Sequence, residues 1–128
     1  MKKVLIVDDE PNIVTLMEQI LEELEDNGVL TITARDGKEA LELIQKQKPD
    51  LVFLDVMIPH ISGLEVCKTV KKDNYLSDVY IILLTARGQS LDEENGMKAG
   101  ADFYITKPFL PQDVLIKSRK ILGIETSN

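Results

Sequence analysis

Asp8, Asp9, Asp55, Thr85 and Lys107 bring together three carboxylates, a hydroxyl and an ammonium, and they follow four apolar runs far apart in the chain. Val4-Leu5-Ile6-Val7 leads into Asp8-Asp9-Glu10, and Leu51-Val52-Phe53-Leu54 into Asp55. Ile81-Ile82-Leu83-Leu84 leads into Thr85-Ala86, and Phe103-Tyr104-Ile105 into Thr106-Lys107-Pro108. If the runs are parallel strands, their carboxyl ends lie on one rim of a sheet. Open parallel sheets bind ligands at that rim, where the strand order reverses. Carboxylates so close repel and raise each other's pKa unless a cation sits among them. A hard divalent ion meets the need. Mg2+ suits it best, because it takes one or two carboxylates, keeps waters and shares phosphate oxygens. A lysine from the opposite side, Lys107, can neutralise a carboxylate at rest and hold a phosphate later. Thr85 offers a hydroxyl between the two positive groups, and the small Ala86 leaves room for an incoming group. Asp55, flanked by metal and ammonium, is the candidate nucleophile, attacking phosphorus to give an acyl phosphate. Positioning and charge neutralisation supply most of the rate in such transfers.

The elements that must position these groups alternate along the chain. Lys3 to Val7 reads as a continuous apolar strand of the doubly covered kind. Pro11 opens a helix with Ile13, Leu16, Met17, Ile20, Leu21 and Leu24 on its apolar face, ended by Asn27-Gly28. Leu30 to Ala34 alternates, which predicts an edge strand. Asp36 and Glu39 have capping-box spacing before a helix that turns Ala40, Leu41 and Ile44 inward. Leu51 to Leu54 is the third strand. Ser62 and Glu65 repeat the capping box before Leu64, Cys67 and Val70, and Val79 to Leu84 is the fourth strand. Ser90 and Glu93 form a third capping box, opening a weak helix to Ala99 that carries an internal Gly96, with Gly100 suited to its C-cap. Phe103 to Ile105 is a short fifth strand. Pro111 opens the last helix, with Val114, Leu115, Ser118, Ile121 and Leu122 inward. Strict alternation of five strands and five helices predicts a parallel sheet covered on both faces, with right-handed crossovers.

Bulk properties narrow the function classes. The 128 residues suit one domain, with 44% hydrophobic and 29% charged residues and a net charge of −7. Such composition fits a folded domain with one core. An acidic domain has no general attraction for nucleic acid or anionic membrane. The single cysteine, Cys67, excludes an intrachain disulfide and reads as a small core or groove residue. No apolar run approaches the roughly 18 residues of a membrane helix, and the N-terminus has no signal-peptide pattern, so a soluble, cytoplasmic protein is expected.

Asp8-Asp9, Asp55, Thr85-Ala86 and Lys107-Pro108-Phe109, in this order and spacing, resemble the receiver domain of bacterial two-component response regulators. Val7-Asp8-Asp9-Glu10, Asp36-Gly37-Lys38-Glu39-Ala40-Leu41, Pro49-Asp50-Leu51-Val52, Ile58-Pro59 with Gly63, and Gly100-Ala101-Asp102 extend the likeness over roughly residues 3 to 122. The resemblance implies an α/β, flavodoxin-like five-stranded parallel sheet of order 2-1-3-4-5 flanked by five helices. The receiver domain would span residues 1–123, and 124–128 would be a short tail or the start of a linker. It implies a phosphorylation-activated switch rather than an enzyme, one that catalyses only its own phosphorylation and dephosphorylation. Asp55 would take a phosphoryl group from a phosphohistidine on a sensor histidine kinase or phosphotransfer protein. Asp9, Asp55 and the backbone carbonyl of Met57 would ligate Mg2+, with Asp8 acting mainly through a metal-bound water. Lys107 and Thr85 would hold phosphoryl oxygens, and the Lys107–Pro108 bond would be cis. Thr85 and Tyr104 would be the switch pair, reshaping the surface of the fourth helix, fifth strand and fifth helix that a downstream partner or a missing output domain reads. Met57 and Arg87 occupy the two positions that tune phosphoryl lifetime. The transcription-factor subfamily usually has an acid before its tyrosine and an arginine in the last helix. Phe103 and Lys117 stand there, so a monomer or weak dimer is expected, with no direct nucleic-acid or membrane contact.

Other readings compete at single residues. Asp8-Asp9-Glu10 fits a helix N-terminal acid cluster, and Asp55 fits a strand-end turn. Tyr104 fits core filler, His60 an exposed loop residue, and Lys71-Lys72-Asp73 a solvated helix end. Rival functions fit less well. A haloacid-dehalogenase-type phosphatase resembles an Asp-x-Asp pattern, but apolar Met57 stands where its second acid would be. A flavodoxin-like flavin carrier needs a hydroxyl- and glycine-rich phosphate loop, which Asp8-Asp9-Glu10 would oppose. A degenerate receiver that only docks partners is opposed by the intact acids.

Overall fold

The structure, a computed structural model, describes residues 1–86 and 90–124, with residues 90–93 described by their backbone alone. Five parallel strands, β1 (Lys2–Val7), β2 (Val29–Ala34), β3 (Leu51–Asp55), β4 (Tyr80–Ala86) and β5 (Phe103–Lys107), form one sheet in the order β2-β1-β3-β4-β5. Helices α1 (Pro11–Leu21), α2 (Gly37–Gln47), α3 (Gly63–Lys72), α4 (Ser90–Lys98) and α5 (Pro111–Leu122) alternate with them, and a 3-10 segment, Glu22–Asn27, prolongs α1. This is the doubly covered parallel sheet that the alternation predicts, in the flavodoxin-like order that the resemblance implies. The alternating strand, β2, takes an edge as expected.

Period-two side-chain alternation sorts the strands' residues into two cores. Leu5, Val7, Val52, Leu54, Ile81 and Leu83 pack with Ala40 and Ile44 of α2 and with Val66, Cys67 and Val70 of α3. Val4, Ile6, Leu51, Phe53, Ile82 and Leu84 pack on the other face against Met17, Leu21 and Leu24 and against Val114 and Leu122 of α5. Both faces of β1, β3 and β4 are thus dry, which is why these strands read as unbroken apolar runs.

Local signals set the boundaries. Pro11 and Pro111 stand at the first turn of α1 and α5. The Asp36 and Ser62 side chains accept hydrogen bonds from the Glu39 and Glu65 N–H groups at 2.8 and 3.2 Å, so both caps form. The third capping box, Ser90 with Glu93, rests on side chains outside the described residues. Gly28 adopts φ +80° and ends the segment after α1. Gly96, which weakens α4 by propensity, is buried against Leu83, and a Cβ there would collide with that side chain. Close approach to the sheet explains the glycine.

Two readings need correction. Lys71 is not part of a solvated helix end. Its ammonium lies 2.7 Å from the Asp102 carboxylate and donates to the Ser77 and Val79 carbonyls at 3.1 and 2.7 Å. Asp102 also accepts from the Ile81 N–H at 2.9 Å, so one ion pair ties α3 to the start of β4 and β5. Tyr104 is not core filler, since its side chain is exposed. Cys67 is buried as expected, and burial pushes its thiol up to about 11.

Gly63 connects this frame to the rim. Its N–H donates to the Val56 carbonyl at 3.0 Å, and a Cβ would run into the Asp55 carbonyl oxygen. Replacing Gly63 with Ala therefore forces a backbone shift, and overpacking of this kind costs about 1–3 kcal/mol. Urea unfolding of Gly63→Ala is expected to show a lower midpoint at unchanged slope. A midpoint equal to the parent's would mean the α3 start and the end of β3 part without cost.

Candidate functional site

Strand register builds the site. Val7 lies beside Leu54, so the next residues, Asp8 and Asp55, emerge side by side at the reversal point between β1 and β3. Asp55 pairs with Leu84, which puts Thr85 one step beyond, and Ala86 pairs with Lys107. The four runs do end on one rim.

Asp8, Asp9 and Asp55 each offer an oxygen within 4.8 Å of the others, so the three acids form one cluster able to take a metal. Asp8 and Asp55 are buried and Asp9 is exposed. Lys107 enters from the β5 side. Its ammonium donates to Asp55 Oδ2 at 2.9 Å and to Asp8 Oδ2 at 3.1 Å, with Glu10 Oε1 at 3.7 Å. The other oxygens are fixed by backbone. Asp55 Oδ1 accepts from the Met57 N–H and Asp8 Oδ1 from the Glu10 N–H, both at 2.9 Å. Each buried carboxylate is therefore held from two sides, which fixes its orientation.

Electrostatics follow from crowding. Burial pushes the Asp8 carboxyl up to about 6; the Glu10 N–H opposes the shift, the Asp55 charge adds to it, and Lys107 opposes it again. A carboxyl raised in the fold stabilises it at low pH and loses that contribution as pH rises through about 6. A cation drawn into the cluster relieves the remaining cost. Burial would lower the Lys107 pKa, but the Asp55 and then the Asp8 carboxylates outweigh it and hold the ammonium above its ordinary value. Lys107 stays charged at neutral pH.

Beside the cluster lies a recess of about 200 Å³ lined by Glu10, Asp55, Met57, Thr85, Ala86 and Lys107. The Thr85 hydroxyl is buried there, with no hydrogen-bond partner among the described residues. An orphaned buried hydroxyl costs free energy, and here it lines a recess beside an ammonium and a carboxylate. The arrangement suits an oxyanion group bonded to Asp55.

The sequence-predicted residues Asp8, Asp9, Asp55, Thr85 and Lys107 thus meet, and the Lys107–Pro108 bond is cis. Met57 stands at the mouth of the recess, 72% exposed. Arg87 lies outside the described residues. Tyr104 lies apart from the cluster, with its ring stacked on Phe103 at 6.3 Å. Glu10 had no assigned role, yet it reaches Lys107. Only its adjacency to Asp8-Asp9 hinted at that. His60 is an exposed loop residue, as read.

Comparison with known proteins agrees with the geometry. The family profile described as "Response regulator receiver domain" matches residues 4–119. The chain is 45% identical over 121 residues to the alkaline phosphatase synthesis transcriptional regulatory protein PhoP of Bacillus subtilis (strain 168), covering 94% of this chain and 48% of that protein. It thus spans about half the length of the curated relatives it matches. The chemotaxis response regulator CheY4 of Vibrio cholerae superposes with a TM-score of 0.82 at 32% identity, covering 94% of this chain and 98% of that one. The receiver domain of sensor histidine kinase PA1611 from Pseudomonas aeruginosa PAO1, solved with a magnesium ion coordinated in its active site cleft, gives a TM-score of 0.84 at 27% identity, covering 95% of this chain and 98% of that one. No helix among the described residues is long and apolar enough to cross a membrane. With the rim cluster, the topology and the matched span in agreement, the chain belongs to the response regulator receiver domain family, the phosphorylation-activated switches of two-component systems.

Proposed function

We propose that this chain accepts a phosphoryl group onto Asp55 from a phosphohistidine of a sensor histidine kinase or phosphotransfer protein, in a Mg2+-dependent reaction, and passes the signal through Thr85 and Tyr104. The observation that carries this reading is the junction of the acid cluster with the recess holding the Thr85 hydroxyl and the Lys107 ammonium. The acids suit the ion. Magnesium–oxygen contacts of about 2.1 Å allow ligand oxygens up to about 4.2 Å apart, so a separation within 4.8 Å closes with movements of a few tenths of an ångström. Asp9, Asp55 and the Met57 backbone carbonyl would hold the ion directly, and Asp8 through water. When bound, it supplies charge neutralisation of the acids and of the phosphoryl oxygens.

The chain's own groups divide the remaining work. The Asp55 carboxylate attacks phosphorus, a P–O bond forms, the P–N bond to the donor imidazole breaks, and the electron pair leaves with the imidazole. Lys107, already 2.9 Å from Asp55, holds a phosphoryl oxygen as charge moves outward. The Thr85 hydroxyl donates to another, satisfying the orphaned group. The movement of Thr85 leaves space that Tyr104, now exposed, turns in to fill. One added dianion thereby biases a two-state surface of α4, β5 and α5. The receiver unit is assigned to residues 1–123, with 124–128 as a tail or linker start. It catalyses only its own phosphorylation and dephosphorylation, acts in the cytoplasm, and is a monomer or weak dimer with no direct nucleic-acid contact.

Three measurements test this reading. Beryllofluoride with Mg2+ is expected to shift the Thr85 and Tyr104 NMR signals, and Asp55→Ala is expected to abolish the shift; an Asp55→Ala response like the parent's would show that the acceptor is another residue. Mg2+ is expected to raise the unfolding temperature, by about 2.7 kcal/mol of stabilisation at a hundredfold excess over Kd, and Asp9→Asn to remove most of the gain. An undiminished gain in Asp9→Asn would place the ion elsewhere. Met57 at the mouth of the recess, together with Arg87, is expected to hinder the attacking water, so that the phosphorylated domain lasts minutes or more. A half-life of seconds in the purified domain would remove the hindrance assigned to these side chains.

A further inference from the structure

The sheet leaves an edge open on the side away from β5, where β2 borders β1 alone. The Asp8 N–H donates to the Ala34 carbonyl at 3.2 Å, so the backbone groups of Ala34 point at β1. Backbone direction alternates along a strand. Ile32 and Leu30 therefore also face β1, while Thr33, Thr31 and Val29 aim their N–H and carbonyl groups outward. A row of outward groups is a template for another strand, and native edges are commonly blunted by a charge, a proline or a bulge. Val29–Ala34 contains neither charge nor proline, and its six residues run in unbroken register with β1. Nor is the edge sealed: Thr31, Ile32 and Thr33 are half-buried, and Leu30 is 42% exposed. Charge is divided along this edge. The segment leading into β2 carries Glu22, Glu23, Glu25 and Asp26, all exposed. The other end is mixed. Arg35, exposed, is the first charge beyond the strand, with Lys38 and Glu39 after it and Asp36 turned to the cap of α2. No ion pair among the described residues involves Glu25, Asp26, Arg35 or Lys38.

We propose that two copies of this chain associate weakly and antiparallel through the outer edge of β2. A two-fold axis at Thr31 pairs Thr31 with Thr31 and Val29 with Thr33, and these outward-facing residues exchange about six hydrogen bonds. The same register sets Leu30 opposite Ile32 of the second copy, in the closer, non-hydrogen-bonded kind of pair, and so covers the exposed leucine. Antiparallel pairing also brings Arg35 of each copy to the acidic end of the other, whereas parallel pairing would bring the two acidic ends together. A strand of an unrelated protein would satisfy the backbone groups equally, but the two-fold register matches Leu30 to Ile32 and Arg35 to the acids with residues of this chain alone. The net charge of −7 on each copy opposes the approach and keeps the contact weak. The contact needs no phosphoryl group on Asp55, since β2 and β5 lie at opposite edges of the sheet.

Sedimentation velocity of the parent at rising concentration, with amide hydrogen exchange followed by NMR, tests the contact. A dimer is expected to form below about 1 mM. The Thr31 and Thr33 amides are expected to exchange more slowly as it forms, and the Leu30 and Ile32 amides, already bonded to β1, to stay as they are. Leu30→Lys is expected to raise the dissociation constant at least about tenfold. Arg35→Glu is expected to raise it as well, and the addition of Asp26→Arg to recover part of that loss. All three side chains lie at the surface, and circular dichroism checks that each variant folds. A parent that stays monomeric up to about 1 mM overturns the proposal. So does a dimer whose Thr31 and Thr33 amides exchange as in the monomer, which places the contact on another face, or one that Leu30→Lys or Arg35→Glu leaves intact. A double variant that associates no more tightly than Arg35→Glu alone overturns the antiparallel orientation.

Discussion

The ammonium of Lys107 is the group on which the rim depends. Two buried carboxylates, Asp8 and Asp55, emerge side by side because β1 and β3 are neighbours in register. Their repulsion and desolvation would push protons onto them or push the strands apart. Lys107 answers both at 2.9 and 3.1 Å, reaching across β4 from the opposite edge of the sheet. The sheet order is therefore also an electrostatic arrangement, with the acids on the strands flanking the reversal point and the base beyond β4. The same ammonium that steadies the resting cluster stands within reach of any anion bonded to Asp55, so little has to be reorganised when charge arrives.

That balance is deliberately incomplete in charge. Asp9 and Glu10 add to Asp8 and Asp55, and Lys107 is ion-paired with Asp8, Glu10 and Asp55. The Asp8 carboxyl, held up at about 6, records the strain. The three acids form a cluster able to take a metal, and the buried Thr85 hydroxyl has no hydrogen-bond partner among the described residues.

Most of the frame was legible because its physics is local or periodic. Continuous apolar runs marked β1, β3 and β4 since both faces are buried, alternation marked β2 as an edge, and the caps at Asp36 and Ser62 form as their spacing implies. The rim residues were legible because strand ends converge once the order is known. What escaped were contacts set by tertiary approach. Lys71 looked like a solvated charge because nothing in its neighbourhood shows that Asp102, far along the chain, lies 2.7 Å away. Gly96 looked like a flaw in α4 because its reason is the Leu83 side chain of another element. Glu10 drew no role because a flexible side chain's reach is not written in spacing.

The packing also dictates where a change at the rim can be expressed. β1 and β3 are sealed between two cores, with Val4 to Val7 and Leu51 to Leu54 inaccessible to solvent, and close-packed interiors resist displacement. β5 differs. It is an edge strand whose residues run from exposed to half-buried, and Tyr104 and Phe103 stack on each other at the surface rather than in the core. Lys107 lies at the end of this same strand, and Thr85 on the strand beside it. A force applied at the rim therefore meets a rigid wall toward β1 and a compliant one toward β5. Displacement follows what is least constrained, so β5, rather than β1 or β3, is the strand at this rim with the most freedom to shift.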